Sequence, residues 1–244
     1  MKKIIRAMLT ATMLGSLGAA ATAADLAPPP PAPVVVPEVF QPFQIHLDAT
    51  GVVPQNGGIL TTNPGGAFIS GGFKASDAVI PELDLSYYFT KNWAVELVCC
   101  ISYHNLYLDG GSLANTKVGH TLIFPPTLFA QYHITDFGKF QPYVGIGVNY
   151  THYFSTSPNS ALLSYAAIRD SWGVAGQIGF DYMLDDHWGV NFNVKKIMMQ
   201  PHVNAGIAGG PINLTGQADI NPWMFSGGIT FRFGGAAPAV LAKY

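Results

Sequence analysis

Between Phe43 and Phe233, apolar residues recur at every second position in eight separate runs. A period of two is that of a β-strand, whose successive side chains point to opposite faces. The last run shows it best. Trp223, Phe225, Gly227, Ile229, Phe231 and Phe233 form one set, and Ser226, Thr230 and Arg232 fall in the other. The first run sets Phe43, Ile45, Leu47 and Ala49 against Gln44, His46, Asp48 and Thr50. The remaining runs are expected at 79–89, 93–103, 120–134, 141–153, 171–184 and 188–198. Long connections (54–78, 106–119, 154–170 and 199–220) alternate with short turns (90–92, 135–140 and 185–187). The long ones are rich in Gly, Asn and Pro and are expected to be loops.

Charge decides which solvent meets each face. Glu82, Asp84, Glu96, Asp181 and Arg232 all lie on the less apolar face, as do Asp48 and Lys195. The opposite face carries no formal charge through the middle of any run, and Lys196 comes only near the end of its own. Water outside would not forbid charge there, but hydrocarbon would, at about 2–4 kcal/mol for an Arg or Lys at mid-bilayer. The apolar set is therefore expected to face lipid and the charged set a lumen. Trp93 and Trp188 follow short turns, whereas Trp172 and Trp223 follow long connections, and all four fall on the apolar face. That places an aromatic girdle at each membrane interface. The fold expected is all-β: an eight-stranded antiparallel transmembrane up-and-down β-barrel over residues 43–233.

Composition agrees. Charged residues are 11% of the 244, against roughly 25% in soluble domains. The mature chain has no unbroken apolar stretch of the ~18 residues a membrane helix needs. Residues 1–24 read as a signal peptide, with Lys2, Lys3 and Arg6, an apolar core, and Ala21-Thr22-Ala23 for cleavage. Without those three cations, nine of the 12 basic residues face 14 acidic ones. There is no basic patch, and no nucleic-acid partner is expected. Residues 25–42 (DLAPPPPAPVVVPEVFQP) form a proline-rich spacer. Cys99 and Cys100 are adjacent and point to opposite faces, so they should not bridge.

Four segments carry a family resemblance: FPPTLFAQYHI (124–134), KFQPYVGIGVNYTHYF (139–154), DSWGVAGQIGFDYML (170–184) and NPW (221–223). Over 43–233 the chain resembles the OmpW family of small outer-membrane barrels. The resemblance implies periplasmic termini and a bacterial outer-membrane location. It also implies a narrow hydrophobic lumen associated with passage of small hydrophobic molecules, with a colicin- or phage-receptor role in some members. The tail, 234–244, departs from family barrels that end on the last strand's aromatic. The family's apolar constriction maps to Val98 and Lys195, and a lysine does not suit a purely apolar gate.

Inside an eight-stranded barrel there is room for side chains or one small ligand. Lumen-facing Val98, Ile123, Phe129, Tyr143 and Lys195 are the expected ligand path. Gly145, Gly147, Gly173, Gly179 and Gly228 should leave space for a solute. Glu82, Asp84, Glu96, Asp181 and Arg232 should form a lumen polar network. The residues leave open whether Lys195 pairs with Glu96, with Asp181 or with nothing. His46, His104 and His133 also face inward, but no triad elbow or metal-ligand spacing accompanies them, so neither catalysis nor metal nor cofactor is expected. Expected partners are outer-membrane lipid, lipopolysaccharide, the assembly machinery and small hydrophobic solutes, the protein acting as a monomer. The other reading is a surface-recognition or stress-tolerance protein that acts through its outward loops.

Overall fold

A computed structural model describes residues 40–109 and 114–235. The signal segment, nearly all of the proline-rich spacer and most of the tail lie outside the described residues. Eight strands close a ring: β1 (Phe43–Val53), β4 (Ala78–Tyr88), β5 (Trp93–Cys99), β8 (Thr127–His133), β9 (Phe140–Pro158), β11 (Ser171–Met183), β12 (Trp188–Met198) and β15 (Trp223–Phe233). Each pairs antiparallel with the next, and β15 pairs back onto β1 with Phe43 opposite Phe233. Closure removes the unpaired strand edges that lipid cannot solvate.

The three short turns and Phe43 share one end. In the turn before β12, the Asp185 carboxylate accepts hydrogen bonds from the backbone N–H groups of Trp188 (2.7 Å) and His187 (2.8 Å). Those two donors hold its carboxyl below the usual range. They also fix where Trp188 enters its strand, against Phe231 on β15 (ring centroids 4.5 Å apart).

The long connections differ from the expectation of loops. They contain β2 (Gly57–Asn63), β3 (Phe68–Ala75), β6 (Ser102–Leu108), β7 (Lys117–Phe124), β10 (Leu163–Ile168), β13 (His202–Ile207) and β14 (Asn213–Ala218). With the upper part of β9 these pair in the order β10-β13-β14-β2-β3-β6-β7-β9, forming a second tier above the ring. Two expected strands are also broken. The run 93–103 divides at Cys100–Ile101 into β5 and β6, and 120–134 divides at Pro125–Pro126 into β7 and β8. Proline has no N–H for a ladder, so two in succession end the pairing.

The faces follow the charge argument. Leu85 and Phe192 are 43% and 44% exposed on the outside, whereas Glu82 and Asp181 are 1% and 0% exposed inside. Trp93, Trp172, Trp188 and Trp223 all lie on the outer face. An apolar band of this extent does not persist in water. Lys196 reaches along the rim, donating to Gln55 Oε1 at 2.9 Å and to the Asn221 carbonyl, with its Nζ 4.8 Å from the Trp223 ring centre. Cys99 and Cys100 are free thiols.

Candidate functional site

The inward residues change character at one height. Along β1, from the short-turn end, they read Gln44, His46, Asp48 and Thr50, then Val52. Along β12 they read Asn191, Asn193 and Lys195, then Ile197 and, just past the strand's end, Met199. β4 descends from Ile80 to Glu82, Asp84 and Ser86, and β15 from Met224 to Ser226 and Thr230. The lower lumen is therefore polar and the upper lumen apolar along these strands, while Thr127, Asn149 and Thr151 keep buried polar groups in the upper part of β8 and β9.

The lower half is filled. Asp181 Oδ1 meets His46 Nε2 at 2.9 Å and accepts from the Thr230 hydroxyl at 3.0 Å. Its Oδ2 accepts from Gln44 Nε2 at 3.2 Å and lies 3.5 Å from an Arg232 nitrogen. Arg232 also donates to the Gln44 side-chain carbonyl and to the Tyr88 hydroxyl. Glu96 accepts from Ser86 at 3.1 Å and from Gln177 at 3.0 Å, and Gln177 in turn accepts from Gln131. Tyr143 stacks on His133 at 4.6 Å. Above them Lys195 donates to Glu82 Oε1 at 2.7 Å and Asp84 Oδ2 at 3.0 Å. These bonds thus fall into two groups, one around Asp181, Arg232 and Glu96 and one in which Lys195 holds Glu82 and Asp84.

The open pairing of Lys195 is resolved, and two expectations need correction. Lys195 pairs with neither Glu96 nor Asp181. Its partners are Glu82 and Asp84, three strands away around the ring. Nor do Tyr143 and Lys195 line an open path, because both are locked in the polar floor by the contacts above. The inward glycines do not leave room for a solute either. A Cβ on Gly147 would lie 2.8 Å from the Phe129 ring and 2.6 Å from the Leu128 carbonyl, and one on Gly179 would lie 2.7 Å from Tyr143 Cζ. They admit large lumen side chains. Gly147→Val should accordingly lower stability by about 1–3 kcal/mol, the usual cost of overpacking, read as a lowered urea midpoint of the barrel refolded in vesicles.

Above Lys195 lies an apolar cluster that includes Val52, Ile80, Val98, Cys100, Ile123, Phe129, Ile197 and Met224. Of the five expected path residues, only Ile123 lines the cavity here, while Val98 and Phe129 pack in the cluster around it. The cavity itself, about 20 Å³, is little larger than one water molecule. A second apolar cavity, of about 30 Å³, lies in the upper tier among Phe73, Leu106, Val118, Leu163 and Val203. Ile220 lines both. The site residues missed from sequence are Val52, Ile80, Cys100, Ile197, Met199 and Met224. The signal that finds them is the polar-to-apolar change along the inward faces of β1, β4, β5, β12 and β15. His104, at the first cavity, is satisfied by the Ser76 carbonyl (2.6 Å) and the Ser102 hydroxyl (3.0 Å).

Known proteins share this plan. The OmpW family model matches residues 42–233. The outer-membrane protein y4mB of Sinorhizobium fredii is 41% identical over 226 residues, covering 89% of this chain and 94% of that protein. The crystal structure of OprG from Pseudomonas aeruginosa superposes with a TM-score of 0.70 at 28% identity, covering 80% of this chain and 97% of OprG. AlkL, a protein also known from Ectopseudomonas oleovorans, was solved in DMPC lipid bilayers; that structure gives a TM-score of 0.64 at 25% identity, covering 84% of this chain and 96% of AlkL. Closed ring, lipid-facing apolar band and matched sequence agree: this chain is a bacterial outer-membrane β-barrel and belongs to the OmpW family.

Proposed function

We propose that the barrel takes small apolar molecules into its upper lumen from outside and releases them sideways into the membrane, not downward to the periplasm. The observation that carries this is the lumen's division: apolar cavities above, and a hydrogen-bonded, charged floor below. An apolar solute moving down would have to displace Lys195 from two carboxylates and leave buried charges unpaired, which is strongly unfavourable.

The wall supplies another way out. β4 pairs with β5 only as far as Leu83 opposite Cys99, yet β4 runs on to Ala78. β6 turns away to pair with β3. Across from this break stand Pro125 and Pro126, which lack N–H donors. Ile80, Cys100 and Pro125 sit at the break and also line the upper cavity. Few ladder bonds need part there for an apolar molecule to reach hydrocarbon. Both cavities are narrow, so passage requires side chains such as Ile220 to swing aside. The hollow, apolar interior of the upper tier favours this reading over surface recognition, which needs no such interior.

The test is uptake of a small apolar fluorophore by proteoliposomes. Cys100→Trp should fill the cavity at the break and reduce uptake to the level of protein-free vesicles. Asn191→Ala, which thins the polar floor, should leave uptake unchanged. Faster uptake through Asn191→Ala, with Cys100→Trp unaffected, would mean a path through to the periplasm.

A further inference from the structure

Asp48, Glu82, Asp84, Glu96 and Asp181 are all 4% exposed or less inside the lumen. Against these five carboxylates stand two permanent cations, Lys195 and Arg232. In the β1–β4 register His46 lies opposite Asp84, and Asp48 lies directly opposite Glu82. Like charges facing each other across a strand pair are destabilising, and more so when buried.

Several polar atoms here are left unused. Lys195 occupies Glu82 Oε1 and Asp84 Oδ2, and Asp181 occupies His46 Nε2. Among the described residues, His46 Nδ1, Asp48 Oδ1, Asp84 Oδ1 and Glu82 Oε2 are buried without a hydrogen-bond partner, His46 Nδ1 having only Glu96 Oε2 at 3.6 Å. Asp48 Oδ2 has only a long contact of 3.5 Å with the Asn193 amide. One donor atom from each of His46, Asp48 and Asp84 lies within 4.8 Å of the others.

We propose that His46, Asp48 and Asp84 hold a first-row divalent cation of the zinc or manganese type, just beneath the apolar cavity. One imidazole nitrogen with two carboxylates is a donor set for such ions, whereas Ca2+ and Mg2+ take all-oxygen shells. Bonds of about 2.1 Å draw the donors closer than their present spacing, by rotation of the two aspartate side chains. Glu82, opposite Asp48 in the register and with Oε2 unpaired, would accept a hydrogen bond from a water on the ion, the kind of outer contact that orients metal ligands. The ion offsets two of the three excess negative charges and ties β1 to β4 in the floor. This inference rests on the polar floor alone and stands whether or not solutes pass above it.

The test uses the full chain refolded in detergent and stripped with EDTA. Titration with Co2+, read by its visible absorption, should saturate at one ion per chain, and Zn2+ should displace it where Ca2+ does not. Asp48→Asn should weaken binding by at least about tenfold, since even outer-shell partners are worth 10–100-fold. His152→Ala should leave it unchanged; His152 lies 2.9 Å from Asp170 on the exposed outer surface and is the rival site. Anomalous scattering at the zinc edge on the unaltered chain should place the ion between β1 and β4, which needs no variant to fold. Absence of one-to-one binding, displacement by Ca2+, loss of binding only in His152→Ala, or a zinc peak elsewhere would each overturn the proposal.

Discussion

Lys195→Met should destabilise the barrel by about 3–5 kcal/mol, the range for removing one partner of a buried ion pair. Lys195 is fully buried and holds Glu82 and Asp84 at 2.7 and 3.0 Å. Without it two carboxylates remain inside with no permanent cation against them. The measurement is urea unfolding in lipid vesicles, in EDTA so that no metal ion substitutes for the lysine. Adding Glu82→Gln and Asp84→Asn to Lys195→Met should recover most of the loss, because a neutral site of similar shape avoids the uncompensated charge. Stability equal to that of the unaltered chain in Lys195→Met would mean that the floor does not depend on this triad and is no barrier to a solute.

Ile146→Arg is the second large effect, expected at about 2–4 kcal/mol. Ile146 is 77% exposed on the outer face of β9, midway between the turn-proximal Phe140 and the rim pair Tyr150–Trp172. In water, a substitution at so exposed a site would change stability by only about 0.5 kcal/mol. The contrast is Phe137→Arg, in the short turn before β9 and 64% exposed, which should cost almost nothing. Equal costs at the two positions would mean that the band around Ile146 is not in hydrocarbon.

Register and facing were legible in the sequence because the two faces of each ring strand meet different media. Leu83 and Leu85 against Glu82 and Asp84 is a contrast that no one-residue shift preserves. The upper tier was not legible for the same reason. In β14, Asn213-Leu214-Thr215-Gly216-Gln217-Ala218, there is no lipid-facing set, so strand and loop read alike. The break at Pro125–Pro126 was visible as two prolines, but Leu122, Phe124 and Leu128 keep the alternation in phase across it. The partners of Lys195 depend on how β12 and β4 face one another across the lumen, which strand sequences do not encode. The cluster of His46, Asp48 and Asp84 hides for a related reason. Two of its members are spaced as H-x-D, and the third arrives only through the pairing of β1 with β4.

On the proposed route, apolar solutes stop above the charged floor. Co-crystals with a small bromoalkane, located by bromine anomalous scattering, test it directly. The expected result is a peak among Ile80, Cys100, Ile123 and Met224 and none below Lys195. A peak among Tyr143, Gln131 and Gln177, with Lys195 drawn away from Glu82 and Asp84, would contradict it.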